Sequence, residues 1–334
     1  MQTEDEKLNQ NSFIFVLAPK GSFMSKNLHF IFNPSELGAG TRGASLGPEA
    51  IRAAARTKGS AIFAQYPIQV VDQHNDLLDH KSPYTFAKNI DGLGKVFASL
   101  EQNITTCLQA GGFPLLISGD HSAAAGTLSA LKNNFPNKRI GVVWIDAHAD
   151  IHSPYTTPSG NLHGMPIAAA LGLDHHHLAK NQLDDATRAH WDQLKSTAFL
   201  PQDLVYIGVR DTEAEEDAVM AELGLKNYTV AELRDRGLAA CLQAITEQLQ
   251  ACDVIYISFD VDSIDPLETS YGTGTPVPNG ITFAEAHEIL TYFAKAPQTC
   301  AIEMVEINPC LDDEKNKMAE KALDLIEHII SHLS

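Results

Sequence analysis

Several protein classes are excluded by what this 334-residue chain lacks. Its five cysteines (Cys107, Cys241, Cys252, Cys300 and Cys310) are odd in number, scattered and without CxxC spacing. They read as reduced thiols, not as a disulfide frame or a thiolate zinc site. No apolar run approaches the ~18 residues that a membrane-crossing helix needs. The N-terminal run Phe13 to Ala18 is too short for a secretory core and follows no basic n-region, so a cytoplasmic location is expected. Positive charge is scarce: 24 Lys and Arg face 42 Asp and Glu, a formal net charge of -18. Such a balance repels nucleic acid and anionic membrane and favours cationic partners. There is no Pro/Ser-rich linker and no internal repeat. One domain over residues 11–334 is therefore expected, with the polar residues 1–10 set apart as a candidate disordered terminus.

With 44% hydrophobic residues the chain has material for a large core. Short apolar runs at Leu115–Ser118, Gly141–Ile145, Leu204–Val209, Val254–Phe259 and Ala301–Ile307 are continuous, not alternating, as in strands buried on both faces. Helical patterns at Asn89–Ala110, Ser122–Asn133, Thr229–Ala251 and Phe283–Ala294 lie between them, and a terminal helix is expected from about Asp312 to Leu333. This alternation predicts βαβ units and an α/β fold with a parallel, doubly wound sheet.

Three of the expected strands run into polar clusters. LLISGDHSAAAG carries Asp120 and His121, VVWIDAHADIH carries Asp146, His148, Asp150 and His152, and YISFDVDSIDP carries Asp260, Asp262 and Asp265. Ligands in parallel sheets bind beyond the carboxyl ends of the strands, so the clusters are expected to converge on one crevice. Gathered carboxylates repel one another and take up protons unless cations neutralise them. Two divalent ions match Asp146, Asp150, Asp260 and Asp262 charge for charge. Carboxylates and imidazoles without thiolate favour a hard or borderline ion such as Mn²⁺. D-x-H-x-D suits an extended segment that aims alternate side chains the same way. A water bridging two metals about 3.5–4 Å apart becomes a nucleophile at neutral pH. Asp265-Pro266 reads as a turn, Asp120 as a helix cap or a partner orienting His121, and His175-His176-His177 as a solvated loop.

SGDHSAAAG, DAHADIHSP, SGNLHGMP and SFDVDSIDP resemble the signatures of the ureohydrolases, a likeness that extends from Arg42-Gly43 to Glu306-Ile307-Asn308-Pro309. SGNLHG and EINP are most similar to arginase. The resemblance implies a three-layer αβα sandwich of about eight strands in a homotrimer or homohexamer. It implies two Mn²⁺ per subunit, one held by His121, Asp146, Asp150 and Asp260 and the other by Asp146, His148, Asp260 and Asp262. Asp146 and Asp260 would bridge the two. His163 would move the proton, Glu306 would face the guanidinium, and Asp150 would join them in the catalytic set. His152, Ser159, Glu213 and Thr275 would contact a small cationic guanidino substrate, with no nucleic acid or membrane involved.

The chain departs from the arginase pattern at His152, where Asn is usual, and at Glu213, where Asp is usual. The loop Leu267–Gly274 is also one residue longer. Arginine hydrolysis to ornithine and urea is the leading expectation. Agmatinase or guanidinobutyrase activity is its neighbour, and a zinc deacetylase-like enzyme or a non-catalytic metal-binding regulatory subunit is a more distant alternative.

Overall fold

The computed structural model describes residues 27–333, so the expectation for residues 1–10 lies outside the described residues. Eight strands are present: β1 (Asn27–Asn33), β2 (Ile68–Val70), β3 (Gly112–Ser118), β4 (Ile140–Ile145), β5 (Leu204–Ile207), β6 (Lys226–Tyr228), β7 (Val254–Asp260) and β8 (Thr299–Val305). They form one sheet in the order β2-β1-β3-β8-β7-β4-β5-β6, and every pairing is parallel. The expected strands β3, β8, β7 and β4 are the four central ones, and each is buried almost throughout. Continuous hydrophobicity is what a strand covered on both faces requires.

The helices are α1 (Gly47–Lys58), α2 (Ile62–Gln65), α3 (Ile90–Gln109), α4 (Ala123–Asn134), α5 (Pro166–Leu171), α6 (Asp185–Leu194), α7 (Ala214–Leu223), α8 (Val230–Arg236), α9 (Leu238–Gln248), α10 (Phe283–Ala294) and α11 (Lys317–His332). One core packs α1, α8, α9, α10 and α11 against one sheet face through residues such as Ile51, Leu242, Ile289 and Ile326. The other packs α3, α4, α5 and α6 against the opposite face through Val96, Leu128, Ile167 and Trp191. The layering is αβα, and no helix among the described residues is long and apolar enough to cross a membrane.

Some expected elements differ in extent. The pattern Thr229–Ala251 is two helices, because Gly237 at φ 84°, ψ 133° breaks the hydrogen-bond ladder between α8 and α9. The terminal helix starts at Lys317, with Asp312 serving as an acceptor for the Met318 N–H (2.8 Å) in the segment before it. Strand β5 stops at Ile207, where Gly208 takes φ 89°. Strand β8 stops at Val305, because Glu306 takes φ 66°. His176 and His177 are exposed as expected, but His175 is buried.

The turn after β3 shows how tightly the sheet's carboxyl edge is closed. Gly119 donates to the Asn33 carbonyl (2.8 Å), and its own carbonyl accepts from Glu306 N–H (3.0 Å). A Cβ at Gly119 would stand 2.2 Å from the Ser35 carbonyl oxygen. Gly119→Ala is expected to lower unfolding free energy by about 1–3 kcal/mol, the usual cost of overpacking; urea denaturation at fixed pH measures it, and an unchanged midpoint would show that this edge can yield.

Candidate metal centre and its cleft

His121 leaves the end of β3 with its ring stacked on Trp144 of β4, centroids 4.0 Å apart and planes 5° apart. Its Nε2 lies 2.7 Å from Ser258 Oγ on β7. Its Nδ1 is 3.0 Å from Asp146 Oδ2, 3.1 Å from Asp150 Oδ2 and 3.2 Å from Asp260 Oδ2. Yet neither His121 Nδ1 nor Asp146 Oδ2 has a hydrogen-bond partner, and both are buried. Three carboxylate oxygens thus crowd His121 Nδ1, and the ligand atoms of His121, Asp146 and Asp150 lie near enough to one another to share an ion. Atoms coordinating a common ion at about 2.0–2.2 Å and right angles stand about 3 Å apart, so the spacing fits a cation.

A second group adjoins the first. His148 Nδ1 is 3.1 Å from Asp262 Oδ2 and 3.5 Å from Asp146 Oδ1. Asp146 therefore belongs to both groups, His121–Asp146–Asp150 and Asp146–His148–Asp262. Local hydrogen bonds hold the carboxylates in place. Asp262 accepts from Ala147 N–H (3.1 Å) and Thr275 Oγ1 (3.0 Å), while Asp260 Oδ1 accepts from Asp262 N–H (2.8 Å). This leaves Asp260 Oδ2 to face His121. Thr275 thus reaches a cluster carboxylate while also lining the cleft.

The electrostatics record the crowding. Burial first, then the charges of Asp262 and Asp146, push Asp260 well above the ordinary carboxylate range. Burial and Asp146 raise Asp150 to about 6. Asp146 is held low because His121 and His148 outweigh its burial. Such groups ask for more positive charge than two imidazoles provide.

Above them is a cleft of about 290 Å³, whose lining includes His121, His148, Asp150, His152, Ser159, His163, Glu213, Asp260 and Thr275. Asp146 and Asp262 lie beneath it, fully buried. Glu306 is not on the wall: it is 2% exposed, and its Oε1 accepts the His121 N–H (3.0 Å) and lies 3.3 Å from His163 Nδ1. Burial alone would lower His163, but Glu306, with Asp150 and Asp120, raises it to about 9. Asp150 and Glu306 both adopt left-handed backbone (φ 50° and 66°), costing of order 1–3 kcal/mol each. Both are fastened, Asp150 by Ile167 N–H to its carbonyl (3.1 Å) and Glu306 by its N–H to Gly119.

Farther out, His152 is buried between Thr156 Oγ1 (3.0 Å from Nδ1) and Glu213 Oε2 (2.9 Å from Nε2). Glu213 and Glu216 form a reciprocal capping box at the start of α7. The His152 contact holds Glu213 down at about 2, while burial pushes Glu216 up to about 9. Glu216 lines the cleft, as do Thr157 and Asp211. None of the three stood out in the sequence, although Glu216 lies three residues beyond Glu213 on one helical face. Asp120 does not orient His121. It accepts from Gly38 N–H (2.9 Å) and Ser122 N–H (2.8 Å), pinning the loop after β1, while Ser258 holds the imidazole. Asp265 behaves as a turn former, accepting from Leu267 and Asn279 N–H.

Comparison with known proteins gives a consistent picture. The Arginase family model matches residues 26–331. The arginase of Bacillus subtilis (strain 168) is 32% identical over 310 residues, covering 92% of this chain and 98% of that protein. The solved arginase of Bacillus caldovelox superposes with a TM-score of 0.76 at 31% identity, over 91% of this chain and 98% of its own. A hypothetical agmatinase from Burkholderia thailandensis, at 21% identity and TM-score 0.66 over 92% and 85%, shares the fold.

If the cluster is a cation site, Asp260→Asn should separate charge repulsion from binding. In EDTA its melting temperature is expected to equal or exceed the wild type, since a repelling charge is gone. Stabilisation by Mn²⁺, about 2.7 kcal/mol at a hundredfold excess over Kd, is expected to shrink. Full retention of the Mn²⁺-induced shift would contradict the assignment.

Proposed function

Given that this chain belongs to the arginase family, we propose that it is a divalent-cation-dependent hydrolase of guanidino compounds that converts L-arginine and water to L-ornithine and urea. The observation that carries this reading is the meeting, at the floor of one cleft, of four acidic and two imidazole side chains with the His163–Glu306 pair beside them. His121, Asp146, Asp150 and Asp260 would hold one cation, and Asp146, His148, Asp260 and Asp262 the other. Mn²⁺ is the proposed ion because the donor set is oxygen and nitrogen without sulfur. When bound, the pair supplies the Lewis-acid chemistry that ionises water near neutral pH.

The protein's own groups do the rest. Glu306, whose Oε1 is held by the His121 N–H and His163, would offer its Oε2 to one N–H of a guanidinium entering through the cleft floor. It would fix the guanidinium plane so that the carbon lies open to water. A C–O bond forms at that carbon, and the C–N bond to the substrate's side chain breaks. The leaving nitrogen needs a proton. His163, whose imidazole the Glu306 carboxylate biases toward the protonated form, stands at the wall to give it. His152, Ser159, Glu213 and Thr275 would meet the remainder of the substrate.

The outer wall favours a second reading, a guanidine without an α-carboxylate such as agmatine. His152 Nε2, the nitrogen that would face a carboxylate, is already against Glu213. Asp211 and Glu213 make this side acidic, and no Lys or Arg lines the cleft among the described residues. We take the sheet with its flanking helices as one catalytic unit. The family likeness supports a cytoplasmic homotrimer or homohexamer, a state that sedimentation of the purified protein would establish.

Urea release by Mn²⁺-loaded protein from L-arginine, agmatine and 4-guanidinobutyrate, side by side, tests the proposal. L-Arginine is expected to give the highest kcat/KM, and His163→Ala to lower kcat by about 10²–10⁴-fold, the usual contribution of a positioned acid. Turnover of agmatine alone would replace the first reading by the second. No turnover of any guanidine would reject both.

A further inference from the structure

The outer wall carries a group that the inner pair of cations does not use. His152, Glu213 and Glu216 meet there with one ligand atom each close enough to share an ion, and all three line the cleft. His152 Nε2 is 2.9 Å from Glu213 Oε2 and 3.8 Å from Glu216 Oε2. The longer distance is out of hydrogen-bond reach. Both fit ligands about 2.0–2.2 Å from one ion, whose separations run from about 3 Å at right angles to about 4 Å across it. The two positions at which the chain departs from the arginase pattern are thus partners. His in place of Asn brings a ring nitrogen to the wall, and Glu in place of Asp has the extra methylene that reaches it.

The other ring nitrogen is already engaged. His152 Nδ1 lies 3.0 Å from Thr156 Oγ1. That hydroxyl accepts the Ser153 N–H (3.0 Å) and directs its own hydrogen to the Ser153 carbonyl (3.4 Å), so it is left to accept from Nδ1–H. A histidine that donates from one nitrogen and turns the other toward carboxylate oxygens has the usual arrangement of a metal ligand. Among the described residues neither Glu213 nor Glu216 has a Lys or Arg within ion-pair distance, and Lys180 pairs with Glu215 instead. Two carboxylates and one divalent ion balance charge for charge. Glu216, pushed up to about 9 by burial, gives up a proton in that exchange.

We propose that His152, Glu213 and Glu216 form a third divalent-cation site, on the wall of the cleft, and that its open coordination positions take a carboxylate entering there. Three protein ligands leave such positions free, as in sites that bind a further ligand. The ion converts an acidic wall, unsuited to a carboxylate, into an anchor for one. The site itself rests on the geometry of the wall alone. Its use for a carboxylate rests on the reading of the cleft as that of an arginine hydrolase.

The test is the number of Mn²⁺ ions bound per chain, measured by equilibrium dialysis of EDTA-stripped protein, for wild type, His152→Asn and Glu213→Gln. The wild type is expected to bind one ion more than either variant. Glu213 is half-exposed, so Glu213→Gln serves if His152→Asn does not fold. The same count in wild type and variants, whatever its value, overturns the wall site. A fall by one supports it even where the inner ligands hold no ion and no guanidine is hydrolysed, so the two readings fail separately. Calorimetry of the wild type then tests the ligand, with L-ornithine and 1,4-diaminobutane, which lacks the carboxylate, as probes. Filling the last Mn²⁺ equivalent is expected to tighten L-ornithine binding about 10-fold and to leave the diamine unchanged. Equal effects on both probes, or none on L-ornithine, overturn the carboxylate role.

Discussion

Four carboxylates and two imidazoles share a volume from which water is largely excluded, and the organisation around them answers that constraint. Like charges gathered around shared imidazoles in a buried setting cannot all remain ionised without compensation. The raised Asp150 and Asp260 are the direct expression of this. The backbone supplies part of the compensation: N–H groups of His148, Ala147 and Asp262 point at the carboxylates of Asp146, Asp262 and Asp260. The remainder is what two divalent charges would provide. The left-handed Asp150 and the close approach at Gly119 are costly local features of this same edge.

The sheet makes such crowding geometrically possible. In a parallel sheet all carboxyl ends lie on one edge, and here the four central strands β3, β8, β7 and β4 deliver His121, Glu306, Asp260 with Asp262, and Asp146 with His148 and Asp150 side by side. Arg210 closes the edge from outside. Its guanidinium donates to the carbonyls of Asp262 (2.8 Å) and Val277 (2.7 Å), with Gly208, Ser263 and Pro278 carbonyls also in reach. One side chain thereby ties the ends of β5 and β7 to the loop ahead of α10. Carbonyl partners leave its charge directed toward the acidic cluster, which offsets the burial that lowers it.

This architecture also explains what could be read from residue order. The central strands were visible because burial on both faces writes a continuous apolar run, and the ligand clusters because D-x-H-x-D is an unlikely thing to place after one. The edge strands β2 and β6 are three residues each and half-exposed, so they leave little trace. The break at Gly237 was hidden because a single glycine is tolerated in a helical pattern. The outer wall was legible only in outline: His152 and Glu213 were identified as departures from the arginase pattern, but their pairing depends on where α7 starts, a tertiary fact. Glu216 belongs to the same helix turn, and its place at the cleft is hidden in the sequence for the same reason.

Ser258 and Glu303 mark a different boundary of legibility. A hydroxyl and a carboxyl inside apolar strands appear in the sequence as blemishes in a hydrophobic run, and their parity along β7 and β8 puts them on a common face. Nothing in either segment reveals that the two strands are neighbours, since β7 and β8 pair only after α10 has crossed the sheet. The candidate cation site is therefore specified at two depths, by ligands that sequence motifs announce and by buried neighbours, such as Ser258 beside His121, that only the strand order of the fold brings together.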